Sequence, residues 1–144
     1  MPQLANQESR GFTHSFRITA AELASTGYLV SSEKAIAQLP AGGIITNAAV
    51  FVQTALAGAS DITISVGTVT GTATNLVAST DLDALTKVAY NTGSAVDTEP
   101  GLVNNATTAT PVFARFGGTL SSLTAGEILI ALTILDPGSI ASNA

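Results

Sequence analysis

The chain contains no cysteine and no tryptophan, one methionine and one histidine. Absence of cysteine excludes disulfides, thiolate catalysis and cysteine-ligated zinc. The single histidine, His14, has no second imidazole or thiolate with which to complete an ordinary zinc site. Charge is also scarce: Lys and Arg number 5 and Asp and Glu 10, so 10% of the 144 residues are ionised, where soluble domains average roughly a quarter. A compact monomer of this size exposes on the order of 7,000 Å². That leaves roughly one ion per 450 Å², about the largest apolar patch a monomer ordinarily tolerates. Part of the surface is therefore expected to be covered by another protein, as in a component of an assembly.

The formal net charge of −5 excludes nucleic acid as a partner, because phosphate binding needs clustered cations. The basic residues Arg10, Arg17, Lys34, Lys87 and Arg115 are scattered. The stretch from Ala35 to Ser60 carries no charge, yet Pro40-Ala41-Gly42-Gly43 breaks it and Asn47 and Gln53 interrupt it. A spanning helix needs about 20 predominantly apolar residues, so this stretch reads as strand, with no membrane partner. The opening residues Met1 to Glu8 lack the basic and apolar regions of a signal peptide.

No catalytic pattern emerges. Gly67-Thr68-Val69-Thr70-Gly71 and Gly42-Gly43 are glycine-rich, but no Gly-Lys-Ser/Thr, dinucleotide fingerprint or Gly-x-Ser-x-Gly elbow accompanies them. Turn formation accounts for these glycines. His14, between Phe12 and Phe16, is expected to be a packed, hydrogen-bonded imidazole of the interior or of an interface. Asp81 and Asp83 would share a face in a strand and are candidates for a cation, but the EF-hand spacing does not follow them. They read as a solvated loop edge, as do Asp97 and Glu99. Asn105-Ala106-Thr107 is a formal glycosylation sequon read as coincidental. The expectation is no enzyme activity, cofactor or metal.

What is present is a succession of short period-two segments. Phe12, His14, Phe16 and Ile18 share one face of the first. Thr19 and Glu22 have capping-box spacing, so 19–24 is either a helical turn or a loop. After Gly27, Tyr28-Leu29-Val30 is expected to be extended, running towards Leu39. Pro40 to Gly43 is a turn. Ile44 to Ala57 is the longest strand, with two uncharged faces, and Asp61 to Thr68 is expected to pair with it as a hairpin across Gly58-Ala59-Ser60. Asn91 to Pro111 is too long for a structureless loop, and a short strand is expected near Leu102-Val103. Val112 to Phe116 is extended. Ile128, Ile130, Leu132 and Ile134 then alternate along the clearest strand, Glu127 to Leu135. The expected fold is all-β: an antiparallel β-sandwich or jelly roll of six to eight strands in one domain, 12–136, with a polar N-terminal arm (1–11) and a C-terminal tail (137–144).

Leu39-Pro40-Ala41-Gly42-Gly43-Ile44-Ile45-Thr46-Asn47-Ala48, then Val50-Phe51-Val52 and Asp61-Ile62-Thr63-Ile64-Ser65-Val66-Gly67-Thr68, together with Ala125-Gly126-Glu127-Ile128-Leu129-Ile130, resemble small all-β capsid decoration (cement) proteins of tailed bacteriophages. The resemblance implies a homotrimer on the outer surface of a phage head, bound to the major capsid protein and stabilising capsomer junctions. The acidic, lysine-poor composition and the charge-free strand faces agree with that role, since interface cores are depleted in charge. On this reading Ile45, Ala49 and Phe51 are expected at a subunit interface. Capsid contact is expected from residues 2–11 (Gln3, Leu4, Asn6 and Arg10 among them) and Phe12. The alternative is a phage tail, head-fibre base or receptor-binding β-sandwich module. A cellular carbohydrate- or calcium-binding module is disfavoured by the missing tryptophan.

Overall fold

Strands that are apolar on one face must bury that face against a second layer, and this chain does so with two antiparallel sheets. The structure is a computed structural model describing residues 11–30, 32–82, 88–96 and 101–139. Among the described residues nine strands follow in order: β1 (His14–Thr19), β2 (Glu33–Leu39), β3 (Ile44–Ala57), β4 (Thr63–Gly67), β5 (Val77–Asp81), β6 (Val88–Tyr90), β7 (Leu102–Val103), β8 (Thr110–Gly117) and β9 (Ala125–Leu135). One sheet has the order β1-β9-β3-β6, with β7 also on β3; the other has β2-β8-β4-β5. The β7 strand lies where the long Asn91–Pro111 segment led us to expect one.

The core forms between the sheets. The alternating face of β9 supplies Ile128, Ile130, Leu132 and Ile134, and Val112, Ala114 and Phe116 of β8 meet Ile64 and Val66 of β4 in the same cluster. Phe116 also holds Tyr28 edge-on at 5.6 Å between ring centroids, and Lys34 Nζ lies 5.5 Å from the far ring. Burial, and then the nearby Glu22 carboxylate, push the Tyr28 hydroxyl above its ordinary pKa.

Three expectations change. The segment around Tyr28 is helical, α2 (Thr26–Val30), following α1 (Ala20–Leu23). Tyr28 and Leu29 amides donate to the Ser25 carbonyl, at 3.1 Å each, so the preceding turn propagates through Gly27. The capping reading of Thr19 holds: its hydroxyl accepts from the Glu22 amide at 3.3 Å. Second, β3 and β4 do not form a hairpin. Gly58-Ala59-Ser60 carries the chain from one sheet to the other, and β3 pairs with β9 while β4 pairs with β5 and β8. Third, β3 does not keep one parity along its length. Its pairing with β9 shifts between Ile45 and Asn47, so Ile45 joins the same buried cluster as Ala48 and Val50. A bulge inserts one residue and reverses which face later side chains take.

The turn at Pro40 is closed by Gly43 N–H donating to the Pro40 carbonyl at 2.8 Å, with Gly42 at φ +72°. That left-handed value is what the third position of such a turn demands, and glycine adopts it at no steric cost. Gly118 is constrained twice: its φ is +97°, and a Cβ there would run into the Asp61 backbone carbonyl.

The Asp61 side chain closes the same corner. Its two oxygens accept from the Thr119 amide at 3.0 and 3.1 Å, and Oδ2 accepts from the Thr119 hydroxyl at 2.7 Å. The amide bond, then the hydroxyl bond, hold the Asp61 carboxyl below its ordinary pKa, with burial opposing slightly. A carboxylate depressed in the folded state stabilises above its unfolded pKa, and that contribution disappears as pH falls through the folded value. Denaturant unfolding of wild type and Asp61→Asn should therefore differ at neutral pH and converge in acid, below the ordinary aspartate range near about pH 4. A gap that stays constant down to about pH 2 would contradict this assignment.

Candidate functional site

Register assigns each side chain of the larger sheet to a face, because directly opposed residues point the same way. His14, Leu132 and Ala48 form one core-facing row; Phe16, Ile130, Val50 and Ala89 form the next. Between these rows, Ser15, Ala131, Ala49 and Tyr90 face outward, followed by Arg17, Leu129 and Phe51. The outer face is thus small and aromatic at its centre. Ala49 and Ala131 are 0% and 2% exposed although they lie outside the core cluster.

Aromatic rings account for that cover. Phe12, just before β1, lies edge-on to Phe51 at 6.0 Å and to Tyr90 at 6.4 Å. Edge-to-face pairs at these separations add about 0.5–1.5 kcal/mol beyond burial. Tyr90 remains 52% exposed. Its hydroxyl donates to Asn47 Oδ1 at 2.7 Å, and Asn91 Nδ2 donates to the same oxygen at 3.0 Å. Asn91 stands at φ +50°, a left-handed value asparagine tolerates better than most residues. There its side-chain oxygen takes the Ala48 amide at 2.8 Å, while its own amide reaches the Ala48 carbonyl at 2.8 Å.

Among the described residues, charge on this face is confined to one end, where Arg17 pairs with Glu127 at 2.9 Å. The other sheet differs. Its outward row Glu33, Arg115 and Ser65 is polar, and both Glu33 carboxylate oxygens accept the Gly71 amide at 3.1 and 2.9 Å. A shallow groove of about 530 Å³ runs along the aromatic face beside β1, lined by Phe12, Thr13, Ser15, Arg17, Phe51 and Leu129 among others. A second, of about 130 Å³, opens between the sheets beside Phe16, Ile36, Ala37 and Leu132.

Of the residues expected at an interface, Phe51 and Ala49 share this outer face, and Phe12 joins them. Ile45 does not: it is 0% exposed within the core, for the register reason given above. Gln3, Leu4, Asn6 and Arg10 lie outside the described residues, as do Asp83, Asp97 and Glu99. His14 is exposed at the rim, its Nδ1 2.8 Å from the Thr13 hydroxyl: it is hydrogen-bonded as expected but does not lie in the interior of the chain. Asp81 is exposed at the end of β5. Among the described residues no three His, Asp or Glu side chains gather as a metal site, and no helix is long and apolar enough to cross a membrane. Tyr90, Leu129 and Ala131 were not anticipated. The second parity of β9, apolar at Leu129 and Ala131 beyond Glu127, is a signal for the last two, while β6 is too short to announce Tyr90.

The class defined by these features is an all-β, two-sheet sandwich presenting one aromatic sheet face that is nearly charge-free among the described residues. No protein-family model and no curated protein matches the sequence. Among solved structures, the fold is similar to a chain of the cyanophage Pam1 capsid asymmetric unit, with a TM-score of 0.54 and 19% identity over 82% of this chain and 79% of that one. A chain of the acidic stable capsid structure of Helicobacter pylori bacteriophage KHP30 aligns with a TM-score of 0.47 and 16% identity, over 86% of this chain and 90% of that one. The first likeness establishes a shared fold.

Proposed function

We propose that this chain is a structural protein of a phage particle, a decoration protein that associates as a homotrimer on the outer surface of the head and binds the major capsid protein. The observation carrying this reading is the outer face of the larger sheet: Phe12, Phe51 and Tyr90 over buried alanines, with ions, among the described residues, only at one end. Charge-depleted, aromatic-rich centres distinguish interface cores from ordinary surface. The fold shared with a chain of the cyanophage Pam1 capsid asymmetric unit supports the setting, and fold alone would not suffice. The strand order also supports a jelly roll, with β6 and β7 taken as two lengths of one strand, so that four strands fill each sheet.

Subunits meet through the β3–β6 half of this face, around Phe51 and Tyr90. The β1 side, with Phe12, is turned to the shell. No chemical step is involved: three modest contacts on one trimer gain through effective concentration. Solution mass and head binding test the reading together. Wild type should run at three times its 14.4 kDa chain mass and coat expanded heads of the phage that encodes it. Tyr90→Asp, at an exposed position, should run as a monomer with its fold intact by circular dichroism. A wild type that stays monomeric at micromolar concentration and leaves the heads bare overturns the proposal.

A further inference from the structure

The outer face of the smaller sheet holds a donor that nothing meets. Ile64 and Val66 of β4, like Ala114 and Phe116 of β8, belong to the core, so the alternate residues Thr63, Ser65 and Arg115 point outward. Ser65 stands directly opposite Arg115 in the register, which sets their side chains beside each other. Two polar side chains are buried among the described residues, Ser65 and Asn104, each 6% exposed. Asn104 is satisfied, its side chain meeting four backbone partners. The Ser65 hydroxyl has no hydrogen-bond partner among the described residues, although buried polar groups are seldom left unmatched. Arg115 beside it is exposed and, among the described residues, forms no ion pair, whereas Arg17 is paired with Glu127 and Lys34 lies against Tyr28.

A cavity of about 280 Å³ opens here, lined by Thr63, Ser65, Thr74, Ser79, Arg115 and Gly117 among others. That is near the lower end of small-molecule sites, about 300 Å³. The segment between β4 and β5 supplies one wall. It crosses β4 so closely that a Cβ on Gly67 would meet the Asn75 side chain and lie 2.7 Å from the Thr74 amide nitrogen. Asn75 fastens this segment, its Oδ1 accepting from the Thr68 amide and its Nδ2 donating to the Thr68 hydroxyl, both at 2.9 Å. Glu33 fastens it again through the Gly71 amide.

We propose that this cavity binds a tetrahedral oxyanion, a phosphate or sulfate group. Arg115 offers a fork of N–H donors and a permanent positive charge. Hydroxyls reach the same space from β4 (Thr63 and Ser65), from β5 (Ser79) and from the connecting segment (Thr74). Donors arriving from several elements suit an ion with acceptor oxygens on all sides better than a planar carboxylate. A bond from Ser65 to such an ion is charge-assisted and satisfies the unmatched hydroxyl. Neither nearby carboxylate lines the cavity: Glu33 lies beyond Arg115 on β2, and Asp81 stands opposite Thr63 at the end of β5. The site is independent of the function proposed above.

Titration of the full chain with inorganic phosphate or sulfate at constant ionic strength, against chloride, reads the site through amide shifts in nuclear magnetic resonance. The Ser65, Ser79 and Arg115 amides should shift together and saturate. Arg115→Gln, at an exposed position, and Ser65→Ala should each weaken binding about tenfold or more, the range for one hydrogen bond to a charged group. Thermal melting separates a ligand site from a structural hydroxyl. In chloride, Ser65→Ala should melt at or above the wild-type temperature, because deleting an unmatched buried hydroxyl removes a cost. Phosphate should raise the melting temperature of wild type and leave Ser65→Ala nearly unmoved. Glucose 6-phosphate, with glucose as its control, distinguishes the sources: tighter binding than inorganic phosphate identifies an ester as the preferred form, weaker binding the free ion, and either supports the site. Absence of saturable shifts, an acetate response as strong as that of phosphate, or a lower melting temperature for Ser65→Ala in chloride overturns the proposal.

Discussion

Phe116→Ala should lower unfolding free energy by about 3–5 kcal/mol, the range for deleting a buried aromatic ring. Phe116 is 2% exposed and faces the core from β8, opposite Ile64 of β4. The loss exceeds simple transfer, because Tyr28 stands edge-on to this ring and loses its partner. Lys34, whose Nζ lies 5.5 Å from the Tyr28 ring centroid, loses its geometry in turn. Phe116→Leu, which refills most of the volume, should cost well under half as much. Urea midpoints at unchanged m-value measure both. A second readout is Tyr28 itself, whose hydroxyl pKa is raised first by burial. In Phe116→Ala it should move down towards the ordinary tyrosine value, visible by ultraviolet titration. A midpoint shift below about 1 kcal/mol would mean that the sandwich collapses around the gap and that Phe116 is not a keystone of this end of the core.

Asn104→Ala is expected to cost about 1–3 kcal/mol, through groups it leaves unsatisfied. Asn104 is 6% exposed, one of few buried polar side chains among the described residues. Its Nδ2 donates to the Leu39, Pro40 and Thr108 carbonyls at 3.0, 3.1 and 3.0 Å, so two protons serve three acceptors. Its Oδ1 accepts the Ala106 amide at 3.0 Å, and its backbone pairs with Gly42 and Gly43 at 2.8 and 2.9 Å. One side chain therefore ties the Pro40–Gly43 turn to the loop after β7. Asn104→Asp should be worse than alanine at neutral pH, because a carboxylate would face three carbonyl oxygens with no donor to offer. Thermal melts of the two variants test the order. Equal or reversed effects would show that the clamp acts through the backbone bonds alone.

Legibility in the sequence varied with the range of the interaction. The alternating isoleucines of β9, the length of β3, the Thr19 cap and the Pro40–Gly43 turn depend on neighbours within a few residues, and all were readable. Asn104 was not, because its acceptors include carbonyls more than sixty positions away. For the candidate site, the uncharged parity of β3 places Ala49 and Phe51 on one face, as the register does. Ile45 was assigned with them because a period of two cannot foresee a bulge. Tyr90 and the swing of Phe12 onto the outer face depend on which strands become neighbours.

Composition and local period by themselves determined that this chain would be β-rich, that it has no thiol for cysteine-based chemistry, and that it carries few ions for its length. Tertiary structure alone decided that β3 and β4 part into different sheets, that Ile45 turns inward, that three aromatic rings converge, and that β1 is, among the described residues, an edge strand. The physical reason is the short reach of pattern: alternation states that one face is buried, whereas pairing partner and register are chosen by contacts between residues far apart in sequence, where a single-residue shift reverses every side chain beyond it.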